Sequence, residues 1–130
     1  MPYPTQHLAV TMPLIAAMPP RYRLPVFVGG VLIDVDHFLD VGLHKAGVGS
    51  DHSFIPLHGL DVVAAVALVA AWRKSPTLGA VALGMALHHA MDYANERDWV
   101  KVSLLWRAKR RFYAPTVRRS WERRSPLTWF

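Results

Sequence analysis

Apolar residues fill long stretches of this chain without the strict alternation typical of strands, and Ala, Leu and Met are common among them. This pattern favours helices. It predicts five of them, at about residues 5–18, 25–43, 54–73, 76–96 and 98–112. We expect Pro13 to kink or shorten the first helix, and the prolines of "PPRYRLP" (19–25) to form a turn. Ser75 followed by Pro76 is a typical start signal for the fourth helix.

Four of the apolar stretches are hydrophobic enough to raise the question of membrane spanning. They are "LAVTMPLIAAM" (8–18), "LPVFVGGVLI" (24–33), "VVAAVALVAA" (62–71) and "LGAVALGMAL" (78–87). Each is shorter than the roughly 20 residues that a helix needs to cross a bilayer. We therefore predict an apolar core that sits in or on a membrane, with true spanning helices as the alternative. The predicted fold class is all-α, a compact bundle of about four to five apolar helices with a basic C-terminal extension.

The net charge of +6 is concentrated near the C-terminal end of the sequence. Residues 101–130 hold nine basic residues and one acidic residue, whereas the preceding hundred are slightly acidic. Near the C-terminal end, arginines alternate with Trp121, Trp129 and Phe130. Such a segment is typical of an anchor on anionic membrane lipid, and it also fits nucleic acid. We favour the membrane surface as partner because the rest of the chain is so apolar.

Ionisable side chains also occur inside the apolar segments. The stretch "LIDVDHFLD" (32–40) carries Asp34, Asp36, His37 and Asp40 between apolar runs. Burying a carboxylate without a partner costs several kcal/mol, so these acids need a compensating charge. Few Lys or Arg residues lie within the apolar runs, and we therefore expect a bound metal cation. Because the chain has no cysteine, its ligands must be His, Asp or Glu.

Two further segments, "HSFIPLHGLD" (52–61) and "HHAMD" (88–92), carry His and Asp at spacings that suit a shared metal. In "HHAMD" (88–92), His88 and Asp92 are four residues apart and share a helix face. Imidazole and carboxylate together suit zinc, iron or manganese better than calcium. We predict one to three divalent ions, with zinc as the first choice and manganese or iron as alternatives. The predicted metal ligands from these segments are Asp36, His37, His52, His58, His88 and Asp92, and the order of the motifs adds His7, which has no acid nearby in sequence.

The order of these motifs resembles that of the YdjM-type membrane-bound metal-dependent hydrolases. The resemblance rests on His7, "DVDH" at 34–37, "HS" at 52–53 and "HHAMD" at 88–92. It implies a bacterial inner-membrane protein with a metal site, distantly similar to the helical zinc-dependent phospholipase C and single-strand nuclease group. It also implies a set of residues that bind the metal or hold its ligands in place, namely Asp34, Asp36, His37, His52, His88 and Asp92. Where the family often has proline, this chain has Ile33, which favours helix at that point.

These features together predict a metal-dependent hydrolase at the membrane that cleaves a phosphoester through a metal-activated water. Asp34 or Asp40 is the predicted general base or orienting carboxylate. We divide the chain into a helical metal-binding domain (1–112) and a basic, aromatic tail (113–130) that faces the cytoplasm. Two alternatives stay open. One is a non-catalytic metal-binding membrane protein, and the other is a nucleic-acid-binding helical module whose His and Asp residues are core polar contacts.

Overall fold

The computed structural model describes residues 4–47, 55–96 and 103–112 of the chain, and within these ranges it is all-helical with no strand. The helices are α1 (Pro4–Ala17), α2 (Pro20–Gly30), α3 (Val35–Lys45), α4 (Leu60–Trp72), α5 (Pro76–Glu96) and α6 (Leu104–Lys109), with a 3-10 turn at Leu32–Asp34. The predicted all-α fold is confirmed.

The long helix α5 is the centre of the packing. It contacts α1, α2 and α4, while α1 also packs on α2 and α6 packs on α4. The predicted range of this helix is confirmed, and so is its start, because Ser75 Oγ accepts a hydrogen bond of 3.3 Å from Leu78 N. The buried apolar residues of the described ranges are Val26, Ile33, Ile55, Ala70, Ala80, Ala82 and Met85, and the last three lie on α5 itself.

The backbones of α2 and α5 touch where glycines face each other. A Cβ atom built on Gly84 would lie 2.8 Å from Gly30 N and closer still to Val26 O. One built on Gly29 would lie 2.9 Å from Met85 N. No side chain larger than hydrogen fits at either position, so the two helices approach as closely as their main chains allow. This contact brings the end of α2 against the second half of α5.

The second predicted helix (25–43) is wrong, because the structure divides this segment into α2, the 3-10 turn and α3. Val31 leaves the helical region at φ −133° and ψ −49°, directly after two glycines that favour helix weakly. The predicted turn at 19–25 is also wrong, since α2 already begins at Pro20. Proline suits the first turn of a helix, whose N–H groups have no partner within the helix.

The first predicted helix (5–18) agrees with α1 to one residue at each end, without the shortening expected at Pro13, whereas two other predicted boundaries differ from the structure. Helix α1 continues past Pro13 to Ala17. Pro13 has no N–H to donate to the carbonyl of Ala9, but both residues are exposed, so water can bind that carbonyl instead. Helix α4 begins at Leu60 rather than at 54, after Gly59 in extended conformation. The last predicted helix (98–112) ends at Lys109 of α6, and its residues 98–102 lie outside the described part of the chain.

The short helix α6 is attached to α4 by one carboxylate. Asp61 accepts hydrogen bonds from Leu104 N at 2.9 Å, Leu105 N at 2.7 Å and Ser103 Oγ at 3.1 Å. Partial burial opposes ionisation of this group, but the two backbone donors hold the pKa of the Asp61 carboxyl below its usual value. The carboxylate therefore fixes the start of α6 and, with it, the position of Arg107.

The turn between α4 and α5 places a lysine in an unusual backbone conformation. Lys74 has φ +48°, its N–H donates to Ala71 O at 3.1 Å, and Ser75 N donates to Ala70 O at 2.9 Å. This pattern is the Schellman motif, whose left-handed residue is most often glycine. A non-glycine residue in that conformation costs about 1 kcal/mol.

None of the helices in the described ranges combines the length and apolarity that crossing a bilayer requires. The division into residues 1–112 and 113–130 stays a prediction, because the proposed tail lies outside those ranges.

We predict that Gly84→Ala lowers the free energy of unfolding by about 1–3 kcal/mol, because the added methyl group would press on the backbone of α2. The matched control is Gly79→Ala on the same helix, where a Cβ meets no atom within 4 Å. This control should be neutral or stabilising by up to about 1 kcal/mol. Urea unfolding followed by circular dichroism measures both, and equal effects would contradict the close contact.

Candidate metal centre

Three imidazoles from different parts of the fold meet at a single point. His58 Nε2 lies 3.1 Å from His37 Nε2 on α3 and 3.1 Å from His88 Nε2 on α5. Asp34 Oδ1, at the end of the 3-10 turn, lies 3.2 Å from His58 Nε2 and 3.4 Å from both His37 Nε2 and His88 Nε2. The break after α2 thus brings a carboxylate oxygen into contact with all three rings.

A second carboxylate and a fourth imidazole extend this group. Asp92 Oδ2, one turn after His88 on α5, lies 3.3 Å from His88 Nε2, and Asp92 Oδ1 lies 3.4 Å from His7 Nε2. The His7 ring stacks on the His88 ring with a centroid distance of 3.8 Å. We call these six residues the His–Asp cluster, and its members are His7, Asp34, His37, His58, His88 and Asp92.

The His–Asp cluster is almost entirely shielded from solvent. Its side chains are at most 6% exposed, except that of Asp34, which is 17% exposed. Asp34 Oδ2 and Asp92 Oδ2 are buried and accept no hydrogen bond in the described structure. Such oxygens are costly to bury without a donor or a cation. The cluster therefore needs a positive charge, and Asp34 is its most accessible member.

The spacing of the ligand atoms suits a divalent cation. In a shell of nitrogen and oxygen ligands at about 2.1 Å from an ion, neighbouring ligand atoms are about 3.0–3.4 Å apart. The Nε2–Nε2 and Nε2–Oδ1 distances that join His37, His58 and Asp34 lie between 3.1 and 3.4 Å. Among the described residues, the side chains of the His–Asp cluster form three overlapping groups of three residues. In each group, the three ligand atoms, one from each residue, lie within 4.8 Å of one another. The cluster can hold a metal ion.

Contacts behind the rings set the tautomers that metal binding requires. His88 Nδ1 lies 3.1 Å from Gly30 O, and only a protonated nitrogen can donate to a carbonyl, so Nε2 keeps its lone pair. His58 Nδ1 lies 2.9 Å from Asp36 Oδ1, whose other oxygen accepts a 2.8 Å hydrogen bond from Leu57 N. This arrangement is typical of the carboxylate that orients a metal-binding histidine.

The pKa values in the metal-free cluster reflect competition between burial and charge. Burial opposes protonation of His58, but contacts with Asp34 and Asp36 outweigh it and raise its pKa to about 9. Burial, together with the charge on His58, lowers the pKa of His37 to about 4. Burial would raise the pKa of Asp34, yet its contacts with His37 and His58 hold it well below the usual range. A proton on His58 thus takes the place that a cation would fill.

Sequence reasoning missed Arg107, which it counted with the basic C-terminal run. The side chain is 1% exposed, and its Nη2 donates a hydrogen bond to the carbonyl oxygen of His58. Burial lowers the pKa of its guanidinium, and the carboxylates of Asp36, Asp61 and Asp40 oppose that shift. The available signal was a single arginine within the otherwise apolar run "LLWRA" (104–108). Arg107 holds the backbone that carries His58.

His89 is a second buried group that the predicted ligand set omits. Its ring is 1% exposed and lies edge-on to the rings of His58 and His88, with centroid distances of 5.6 Å. Its Nδ1 lies 3.9 Å from Asp92 Oδ2. Burial, followed by the charge on His58, lowers its pKa to about 4. His89 is therefore a neutral neighbour of the His–Asp cluster.

The structure brings most of the predicted site residues together, but not all. Five of the seven predicted ligands, and Asp34 with them, form the His–Asp cluster. Asp36 lies behind His58, and none of the ligand groups in the described residues contains it or Asp40. His52 lies outside the described part of the chain. The direct binding of metal by Asp36 and the catalytic roles of Asp34 and Asp40 stay predictions.

Comparison with known proteins found no matching family model, no matching curated protein and no matching solved structure. The resemblance to the YdjM-type hydrolases therefore also stays a prediction.

We predict that Asp36→Asn lowers zinc affinity about 10–100-fold, because an amide is neutral and has one oxygen where the carboxylate places two, at His58 Nδ1 and at Leu57 N. Asp34→Asn should cost more than about 100-fold, because it removes an oxygen of the cluster itself. Competition with a fluorescent zinc chelator measures both, with Asp40→Asn as the control that should resemble wild type. An equal loss for Asp36→Asn and Asp34→Asn would show that Asp36 binds the ion directly.

We also predict that zinc binding at pH 7 releases about one proton per ion. His58, with a pKa of about 9 in the metal-free protein, is protonated at that pH and must lose its proton to become a ligand. Affinity should therefore fall as the pH is lowered. Calorimetric titration in two buffers of different ionisation enthalpy measures the release, and identical heats in both buffers would contradict it.

Proposed function

We propose that this protein is a metal-dependent hydrolase that cleaves a phosphoester at a membrane surface, with zinc as its metal. The observation that carries the proposal is the convergence of imidazole and carboxylate atoms from α1, α3, α5, the 3-10 turn and the segment before α4 in one buried cluster. When bound, a divalent ion lowers the pKa of a coordinated water and polarises a phosphoryl oxygen.

In this proposal the residues of the chain divide into three roles. Asp34, through Oδ1, holds the ion together with His37, His58, His88 and Asp92. The contacts to Gly30 and Asp36 orient two of the rings. Asp34 is the most exposed member of the cluster, and its Oδ2, although buried, accepts no hydrogen bond within the described residues, so we assign to the Asp34 carboxylate the acceptance of a proton from the attacking water. Asp40 is less favoured for this step, since its described interaction is with the charge of Arg107.

The membrane part of the proposal is supported by the surface beside Asp34. Three apolar side chains near it in sequence are about half exposed or more: Leu32 on the 3-10 turn, and Val35 and Phe38 on α3. Exposed apolar side chains on the segment that carries Asp34 suit a substrate whose phosphoester is attached to a lipid. Location at a bacterial inner membrane rests on the resemblance alone.

A non-catalytic metal site is the second candidate, and the burial of the cluster favours it. Sites closed by protein ligands are typical of structural metals, whereas catalytic sites keep one position open. The cluster supplies six ligand-bearing residues, more than a four-coordinate ion needs. The exposed edge at Asp34 is the observation that favours catalysis over this alternative.

The test joins metal analysis to a hydrolysis assay. We expect purified protein to carry a stoichiometric transition metal and to hydrolyse a substrate in a panel of p-nitrophenyl phosphate, bis(p-nitrophenyl) phosphate and phospholipid in mixed micelles. Chelation should abolish the activity, and zinc should restore it. His88→Ala should lose both metal and activity, while Lys45→Gln, an exposed change on α3, should keep both.

The possible results separate the two candidates. Bound metal without hydrolysis of any substrate in the panel would favour the non-catalytic site. Protein without metal, which stays metal-free after zinc is added, would overturn both.

A further inference from the structure

An open groove runs along α4 and α5, from the turn that joins them to Val63 on α4 and Ala86 on α5. Its volume is about 610 Å³, within the range of roughly 300–1,000 Å³ that small-molecule sites occupy. Helix α4 contributes Val63, Ala67 and Ala71, and α5 contributes Gly79, Leu83 and Ala86. From Pro76 to Ala86 the groove follows α5 for about 15 Å, at 1.5 Å per residue.

Small side chains keep this groove open. A Cβ atom on Gly79 would meet no atom within 4 Å, so no close approach of another backbone requires glycine there. Glycine in the interior of a helix is also less favourable than alanine. The packing of α5 therefore gives no reason for Gly79, whereas an occupant of the groove would.

The groove has a positive charge at one end only. Among its lining residues that the structure describes, only Lys74 and Ser75 carry polar side chains, and none is acidic. Ser75 Oγ already caps α5. Lys74 holds the left-handed position of the Schellman motif, where glycine would serve the turn better. A charged residue kept at a strained position is typical of a functional role.

The surface around the groove is also apolar. Helix α4 is apolar around its whole circumference. Two of its large apolar side chains, Leu68 and Trp72, are nevertheless 71% and 77% exposed. Such a helix is usually buried in protein or in lipid. At its end, the Arg73 guanidinium lies 5.2 Å from the centroid of the Trp72 ring, a pair of residue types that is common at the interface of a bilayer.

We propose that the groove between α4 and α5 binds the acyl chain of an anionic lipid, with the lipid's negative head at Lys74. Length, apolar lining and a single cation at one end match a molecule that has one apolar tail and one negative group. None of the lining residues belongs to the His–Asp cluster, and the proposal does not depend on metal binding or hydrolysis.

The experiment measures binding of dansyl-labelled undecanoic acid below its micelle concentration, with lysolipids as competitors. We expect dansyl emission to rise and shift to the blue saturably. Lysophosphatidylglycerol, which is anionic, should compete at a concentration about three- to tenfold lower than zwitterionic lysophosphatidylcholine does. Chelation of metals should not change these values.

Two variants test the groove without an expected loss of stability. Gly79→Leu fills the groove and should weaken probe binding more than about tenfold, with an unchanged or higher melting temperature. Lys74→Gly improves the turn and should abolish the preference for the anionic lysolipid, again without a lower melting temperature. Gly42→Leu on α3 is the matched control, because a Cβ at Gly42 also meets no atom within 4 Å.

Three results would overturn the proposal. The first is unchanged probe binding in Gly79→Leu, and the second is equal competition by the two lysolipids in wild type. The third is a wild-type dimer that Gly79→Leu converts to a monomer in light scattering while neither form binds the probe. That result would assign the groove to a second copy of the chain.

Discussion

The approach of α2 to α5 at their glycines positions the centre of the candidate site. Because Gly29 and Gly84 carry no side chain, the two backbones touch, and the carbonyl of Gly30 reaches Nδ1 of His88. That contact sets the tautomer of His88 and keeps its Nε2 directed at Asp34. The same end of α2 leads directly into the 3-10 turn that carries Asp34. A packing constraint between two apolar helices thus decides the geometry of a polar cluster.

Charge balance is the second constraint on this region. The cluster contains the carboxylates of Asp34 and Asp92, and a third, Asp36, orients His58. Within the described residues, Arg107 is the one buried side chain near them that is always positively charged. With neutral imidazoles the sum is two negative charges, which is the charge that one divalent cation neutralises. Without a cation, the proton on His58 compensates in part. The buried polar groups therefore carry a net negative charge that they do not neutralise among themselves and that a divalent cation would neutralise.

Helical spacing predicted the part of the site that lies within one helix, and failed where distant segments meet. His88 and Asp92 share a face of α5, as four residues of separation require. The helix expected through 25–43 hid the break at Val31, since two glycines weaken a helix without fixing where it ends. His7 has no acid near it in sequence, and only packing of α1 on α5 brings it to Asp92. Arg107 resembled a solvated charge because its burial depends on the cap that Asp61 provides.

His58 differs from the other imidazoles of the cluster in the backbone that carries it. His37 and His88 lie on helices, whereas His58 lies in a turn, held by a hydrogen bond of 3.2 Å from its N–H to Ile55 O and by Arg107 at its carbonyl. Local opening of that turn removes one imidazole while α2 and α5 stay packed, and such opening costs less free energy than global unfolding. For the proposed ion, such an opening would provide a route of exchange that depends on the few residues of this turn rather than on unfolding of the bundle.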